Sequence, residues 1–266
     1  MLAVCGALQV LAVTRLNTLP RGDSRLEMQV ALPRFVQLVL SGGDRYLAAN
    51  IEVFRSLVAA TENMGQDNYA IQAKLQRDAA WFNPAHEDNY YLAAAILPWN
   101  KQVEAAQDVL ASASKARPFD VWPGFYHAFG VFMFEREPRR AALLLQENAR
   151  RARTENERLL FESIAARWYQ KGATAEETLL FLKGMAAQSR HAEFRAYLET
   201  RAKRLEGLIA IQHAVARYRA ERGRPPATIP DLVTEGFLES IPADPYGIGY
   251  GLQPDGEAVL LERPRK

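Results

Sequence analysis

The chain has 266 residues, of which 48% are hydrophobic, enough to bury a full core as one large domain or two smaller ones, so disorder is excluded as its general state. Lys plus Arg number 33 against 31 for Asp plus Glu, a near-balance that gives no general electrostatic case for nucleic acid. The single cysteine, Cys5, excludes an intramolecular disulfide and a multi-cysteine zinc site, and His86, His127, His191 and His213 are scattered without ligand spacing.

Residues 2–13 read LAVCGALQVLAV, apolar apart from Gln9, which is shorter than the roughly 20 residues a spanning helix needs. No basic residue precedes the run, so a normal signal peptide is not written there. Two readings remain: the tail of a membrane anchor that begins upstream, or a segment packed within the domain. The following LNTLPRGD looks like a turn leaving a hydrophobic helix, which favours the anchor and sets 1–22 apart as a hydrophobic segment and turn.

A helix is expected from Glu27 to Val39 around Pro33. Gly42 and Gly43 then turn the chain, and Ser41 and Asp44 are the expected caps of the next helix. The glycine pair also suits a phosphate loop, but no Gly-Lys-Ser/Thr follows and no strand precedes, so the turn is the better reading.

The next helix is expected over Tyr69 to Phe82, with Asn83 and Pro84 opening its partner. Beyond it, Tyr90 and Ala94 are placed to face Ala106, Leu110 and Ala113 across a break at Pro98, Trp99 and Asn100. A second helix pair is read from Phe125, Ala128 and Phe132 against Ala142, Leu145 and Ala149. Thr154 with Glu157 and Thr174 with Glu177 each form the capping box that starts a helix, and Gly172 ends the helix between them, giving a third pair. The arginines from Arg136 to Arg153 are read as a solvated helix face.

On these residues, with Pro84 and Pro118 in register, 87–120 resembles a tetratricopeptide repeat, whose period is about 34 residues. Residues 121–153 and 155–188 resemble weaker copies. The usual aromatic pair of the first helix is represented only by Tyr90 and Leu97, and the preceding stretch carries polar Gln72 and Gln76 at packing offsets. The resemblance implies a mainly α fold, a tetratricopeptide-like solenoid of helical hairpins over 23–189, that binds a protein or peptide. The expected groove residues are Asn89, Tyr90, Asn100, Tyr126 and His127.

From His191 to Arg222 the chain reads as one long helix with Phe194, Leu198, Leu205, Leu208, Gln212 and Val215 on one stripe, ending at Gly223. A short helix around Asp231 to Glu235, two proline turns and a β-hairpin with Asp255 and Gly256 at its tip follow. The stretch from Ile211 to Tyr250 resembles the globular end of type II secretion pseudopilins and related pilins, so 190–266 is expected as a long helix plus a pseudopilin-like module. Gly6 is not followed by the family's Phe-Thr-Leu-Ile-Glu, and Asp244 and Asp255 read as turn formers instead of metal ligands.

Together these readings imply a membrane-tethered scaffold that holds a component of a bacterial pilus, type II secretion or surface-export machine. The N-terminal segment would associate with the inner membrane, with the body facing the periplasm and the cytoplasmic side left open. A pseudopilin-like structural subunit is the alternative, and an enzyme without a recognised signature is the third reading. No catalytic residue, cofactor, metal, nucleic acid or small-molecule substrate is expected.

Overall fold

The computed structural model describes residues 31–58 and 66–262, so the apolar run 2–13 and the start of the helix expected from Glu27 lie outside the described residues. Among the described residues, eleven α-helices and one two-stranded antiparallel sheet make the fold mainly helical. The chain divides into two compact units, Met1–Gly130 and Val131–Lys266.

In the first unit, α1 (Arg34–Leu40) begins just after Pro33, which precedes the helix because its fixed φ of −60° pairs with an extended ψ of 143°. Gly42 and Gly43 turn the chain at φ 62° and 85°. Asp44 Oδ1 then accepts the Tyr46 and Leu47 N–H groups at 2.8 and 3.2 Å and caps α2 (Arg45–Val58). Ser41, the other expected cap, instead donates its hydroxyl back to the Gln37 carbonyl and finishes α1.

α3 (Gln66–Phe82) ends at Asn83, whose side-chain oxygen accepts the Ala85 N–H at 3.2 Å. That local bond makes 83–86 a turn, so Pro84 lies in the turn and not in the first turn of α4 (Glu87–Ile96). A 3₁₀ turn at Pro98–Asn100, with Lys101 left-handed at φ 64°, reverses the chain into α5 (Val103–Ala116), and α6 (Trp122–Gly130) packs on α5. The expected α4–α5 seam is present: Tyr90, Ala93 and Leu97 are buried with Ala106, Val109, Leu110 and Ala113. The alanines carry little bulk, so the helices can approach closely there.

The second unit opens with a π-helical turn, Val131–Glu135. It continues through α7 (Pro138–Ala149), α8 (Glu155–Gly172), α9 (Ala175–Gln188), α10 (Ala192–Arg222) and α11 (Ile229–Thr234) to β1 (Tyr250–Leu252) and β2 (Ala258–Leu260). Both expected capping boxes form at Thr154–Glu157 and Thr174–Glu177. α8 does end at Gly172, where a Cβ would lie 2.4 Å from Pro138 Cγ at the start of α7, so this close approach calls for glycine. α7 packs mainly along α8 and α9 mainly along α10.

One apolar core runs through this unit, from Leu182 and Met185 on α9 through Leu198, Ile211 and Tyr218 on α10 to Leu232 on α11 and Ala258 on β2. Each large apolar side chain sealed there contributes roughly 1.5–3 kcal/mol. The expected boundary at 189/190 falls inside this cluster. α10 closes on Gly223 at φ 69°, whose N–H reaches the Arg219 carbonyl, and Gly256 at φ 79° forms the hairpin tip.

Candidate functional site

The five residues expected to line a groove belong to the first unit, and they do not form a common exposed surface. Asn89 is 2% exposed, and its amide donates to the Gln76 carbonyl at 2.9 Å, so it ties α4 to α3. Tyr90 is fully buried and donates to Asp120 Oδ2 at 2.9 Å, and burial with that carboxylate pushes its phenol pKa up. Burial alone would raise the Asp120 carboxyl, but the Trp122 N–H, Arg117 and Tyr90 outweigh it and hold the pKa down. Asn100, in the 3₁₀ turn, donates to the Ile96 carbonyl at 2.8 Å and closes the end of α4. Half-buried Tyr126 lies 5.9 Å from the Tyr91 ring, and Tyr91 stands 4.4 Å from Tyr90, so these two expected residues share one aromatic cluster. His127 hydrogen-bonds to Gln107 Oε1.

Next to Asn89, α3 turns Gln72 and Gln76 inward with no exposure. Among the described residues, the carbonyl oxygens of Gln72 and Asn89 and both amide atoms of Gln76 are buried without hydrogen-bond partners. Each such group costs about 1–3 kcal/mol, so this layer weakens the first unit.

The second unit carries a cleft of about 940 Å³. Its floor is α10, where Leu205, Leu208 and Val215 are buried and the half-buried Gln212 interrupts the apolar stripe. One wall is the start of α9, with Thr174, Glu176 and Thr178; the opposite wall is β2 and the residues after it, Ala258 to Glu262.

Tyr250 holds the hairpin against α10, donating its hydroxyl to the Arg204 carbonyl at 3.3 Å. This contact requires glycine at 207, since a Cβ there would lie 2.2 Å from the Tyr250 hydroxyl and 3.1 Å from Pro242 Cβ. Arg204 pairs with Asp244 at 3.1 Å and donates to the Leu261 carbonyl at 2.8 Å. Burial alone would raise the Asp244 pKa, but the N–H groups of Tyr246 and Gly249 and the Arg204 charge hold it low. Arg219 donates to the Asp255 carbonyl. Both cations of the cleft are therefore committed to the hairpin.

The carboxylates are less occupied. Glu176 lies 3.7 Å from His213, and Glu257 and Glu262 are exposed with no ion pair among the described residues. The cleft combines an apolar floor, hydrogen-bonding walls and an acidic rim, a surface suited to holding a polypeptide.

The sequence reading missed this cleft. Its only local signal is Gln212, a polar residue on an apolar stripe, and its other parts are distant in sequence and meet only in the fold. Among the described residues no cluster is arranged to hold a metal ion, and no helix is long and apolar enough to cross a membrane. Comparison of the chain with protein-family models, curated proteins and solved structures finds no match.

Proposed function

We propose that this protein is a binding scaffold that holds a polypeptide partner in the cleft of its second unit. The observation that carries the reading is the composition of that cleft: a buried aliphatic floor on α10 between a strand edge and a helix start, with an acidic rim. The helical hairpins of the first unit are read as a degenerate tetratricopeptide-like array, on the agreement of the α4–α5 seam with the repeat's packing positions. The assembly it serves is a pilus, secretion or export machine, a reading supported by the pseudopilin resemblance of the stretch from Ile211 to Tyr250.

The scaffold is tethered at the inner membrane through 2–13. Support comes from the outward faces of α1 and α2, where Phe35 (77% exposed), Val39 and Leu40, then Leu47, Ile51 and Phe54, present an unusually apolar surface. Such a surface suits contact with the same bilayer.

A photoreactive residue at Val259 in the cleft, compared with one at exposed Glu199 on α10 outside it, tests the reading in native membranes. An adduct with a pilus or secretion component from Val259 alone supports the scaffold. Equal adducts from both positions, or none, overturn it.

A further inference from the structure

We infer that the cleft recognises a basic, extended polypeptide segment by adding it as a third strand along the free edge of β2; the inference rests on the scaffold reading and specifies its mode of recognition. The sheet has two strands in the order β1-β2, so among the described residues no strand pairs with the outer edge of β2. Which backbone groups face outward follows from the register. Leu252 stands opposite Ala258, Gly251 opposite Val259 and Tyr250 opposite Leu260. Leu261 N–H bonds to the Gly249 carbonyl, and Gln253 N–H to the Glu257 carbonyl at 2.9 Å. Bonded pairs alternate along an antiparallel ladder, so 257, 259 and 261 bond toward β1 while Ala258 and Leu260 turn their N–H and C=O groups away from it.

This outward edge borders the cleft. The Gln212 amide reaches the Ala258 carbonyl at 3.1 Å, which is the bond an added strand would make at that point. The groups of Leu260 continue the edge beside the apolar floor. An incoming strand would lie between β2 and the start of α9, with alternate side chains directed down to Leu205 and Leu208.

Charge selects the occupant. Arg204 and Arg219 are engaged by Asp244 and the Asp255 carbonyl, whereas Glu257 and Glu262 lie at the two ends of the β2 edge without cationic partners among the described residues. Lysine or arginine on the solvent side of the added strand would meet these carboxylates, and an acidic strand would be repelled.

The test uses the full chain and a short capped peptide of alternating lysine and valine. Binding is measured by calorimetry, and protection of the Leu260 amide by hydrogen exchange. Expected are binding, slowed exchange at Leu260, and at least a tenfold loss when the peptide's strand-pairing nitrogens are methylated, a change that leaves the protein intact. Glu257→Lys with Glu262→Lys should weaken the same peptide at least tenfold, and a peptide of alternating glutamate and valine should not bind.

Binding that tolerates methylation, or that leaves Leu260 exchange unchanged, overturns strand addition. Equal binding of the acidic peptide overturns the charge rule. If no extended peptide binds while the Val259 probe still captures a partner, the inference fails and the scaffold survives. Absence of both results removes the scaffold itself.

Discussion

In α10 the buried residues include Phe194, Leu198, Leu205, Ile211 and Tyr218, and the solvent side is rich in arginine and glutamate. In α2 the buried residues are Ala48, Ala49, Glu52, Val53 and Ser56, while Leu47, Ile51 and Phe54 face outward. The first helix follows the usual rule of an apolar stripe turned to the core; the second reverses it. α10 is therefore held by its own unit's packing. The outer face of α2 contributes little to that packing and is suited to a surface outside the described residues.

The comparison is broken or sharpened first by truncation on each side. Leu198→Ala removes a side chain with no solvent exposure and is expected to cost about 2–5 kcal/mol in urea unfolding. Phe54→Ala, at 65% exposure, should change the stability of the detergent-free protein by no more than about 0.5 kcal/mol while reducing its flotation with liposomes. An equally large loss of stability at both positions would show that α2 is covered by the fold, and the contrast would disappear.

Glycine substitutions give the next largest effect, within the second unit. Alanine in place of helical glycine ordinarily gains about 1 kcal/mol. Gly184 on α9 has open space around its missing Cβ, so Gly184→Ala should show that gain in its urea midpoint. At Gly207 the new methyl would overlap the Tyr250 hydroxyl, and displacing that ring should cost about 1–3 kcal/mol, enough to reverse the sign. Faster amide exchange in β1 and β2 of Gly207→Ala, absent from Gly184→Ala, would locate the loss at the hairpin.

How much of this was legible in the sequence follows from the range of each interaction. The capping boxes at Thr154 and Thr174, the end of α10 at Gly223 and the hairpin tip at Asp255-Gly256 are settled within a few residues, and all were readable. Asn89 was misplaced because periodicity marks a stripe without naming the neighbour, and α3 happens to turn its Gln76 backbone toward that position. The cleft was hidden for a stronger reason. It exists because Gly207 lets Tyr250 approach α10, which brings 258–262 across from 174–176, and no local pattern encodes that approach.

The buried amides of α3 offer a gain in place of a loss. Gln76→Leu keeps the shape, leaves the backbone carbonyl that Asn89 uses, and removes two polar atoms that have no partner among the described residues. It should raise the urea midpoint by the equivalent of about 1 kcal/mol. A loss of similar size would show that the Gln76 amide is engaged in the folded protein in solution, and the first unit would then be less poorly satisfied than its neighbour suggests.

The smallest effect is a difference in sign with pH. Glu52 is buried on α2, and burial raises its pKa above 4.5 even though Arg55 works against the rise. The folded chain thus holds that proton more tightly than the unfolded chain, so Glu52's contribution to stability grows as pH falls through the folded pKa and levels off below about 4.5. Asp244 is the opposite case. Its folded pKa lies below 3.8, so its contribution is complete above that value and is lost as pH falls through the folded pKa.

Asp78 in the first unit is also held low, by Lys74, Arg34 and Gln37 against the effect of burial, so the readout must be each variant's difference from the wild type. Relative to wild type, Glu52→Gln should lose its advantage as urea midpoints are followed from neutral pH into acid, because wild type gains by protonating. Asp244→Asn should start below wild type and converge on it only in the more acidic range. Parallel curves for the two variants would mean that the α2 carboxylate is as well compensated as the hairpin carboxylate, removing the electrostatic half of the contrast between the units.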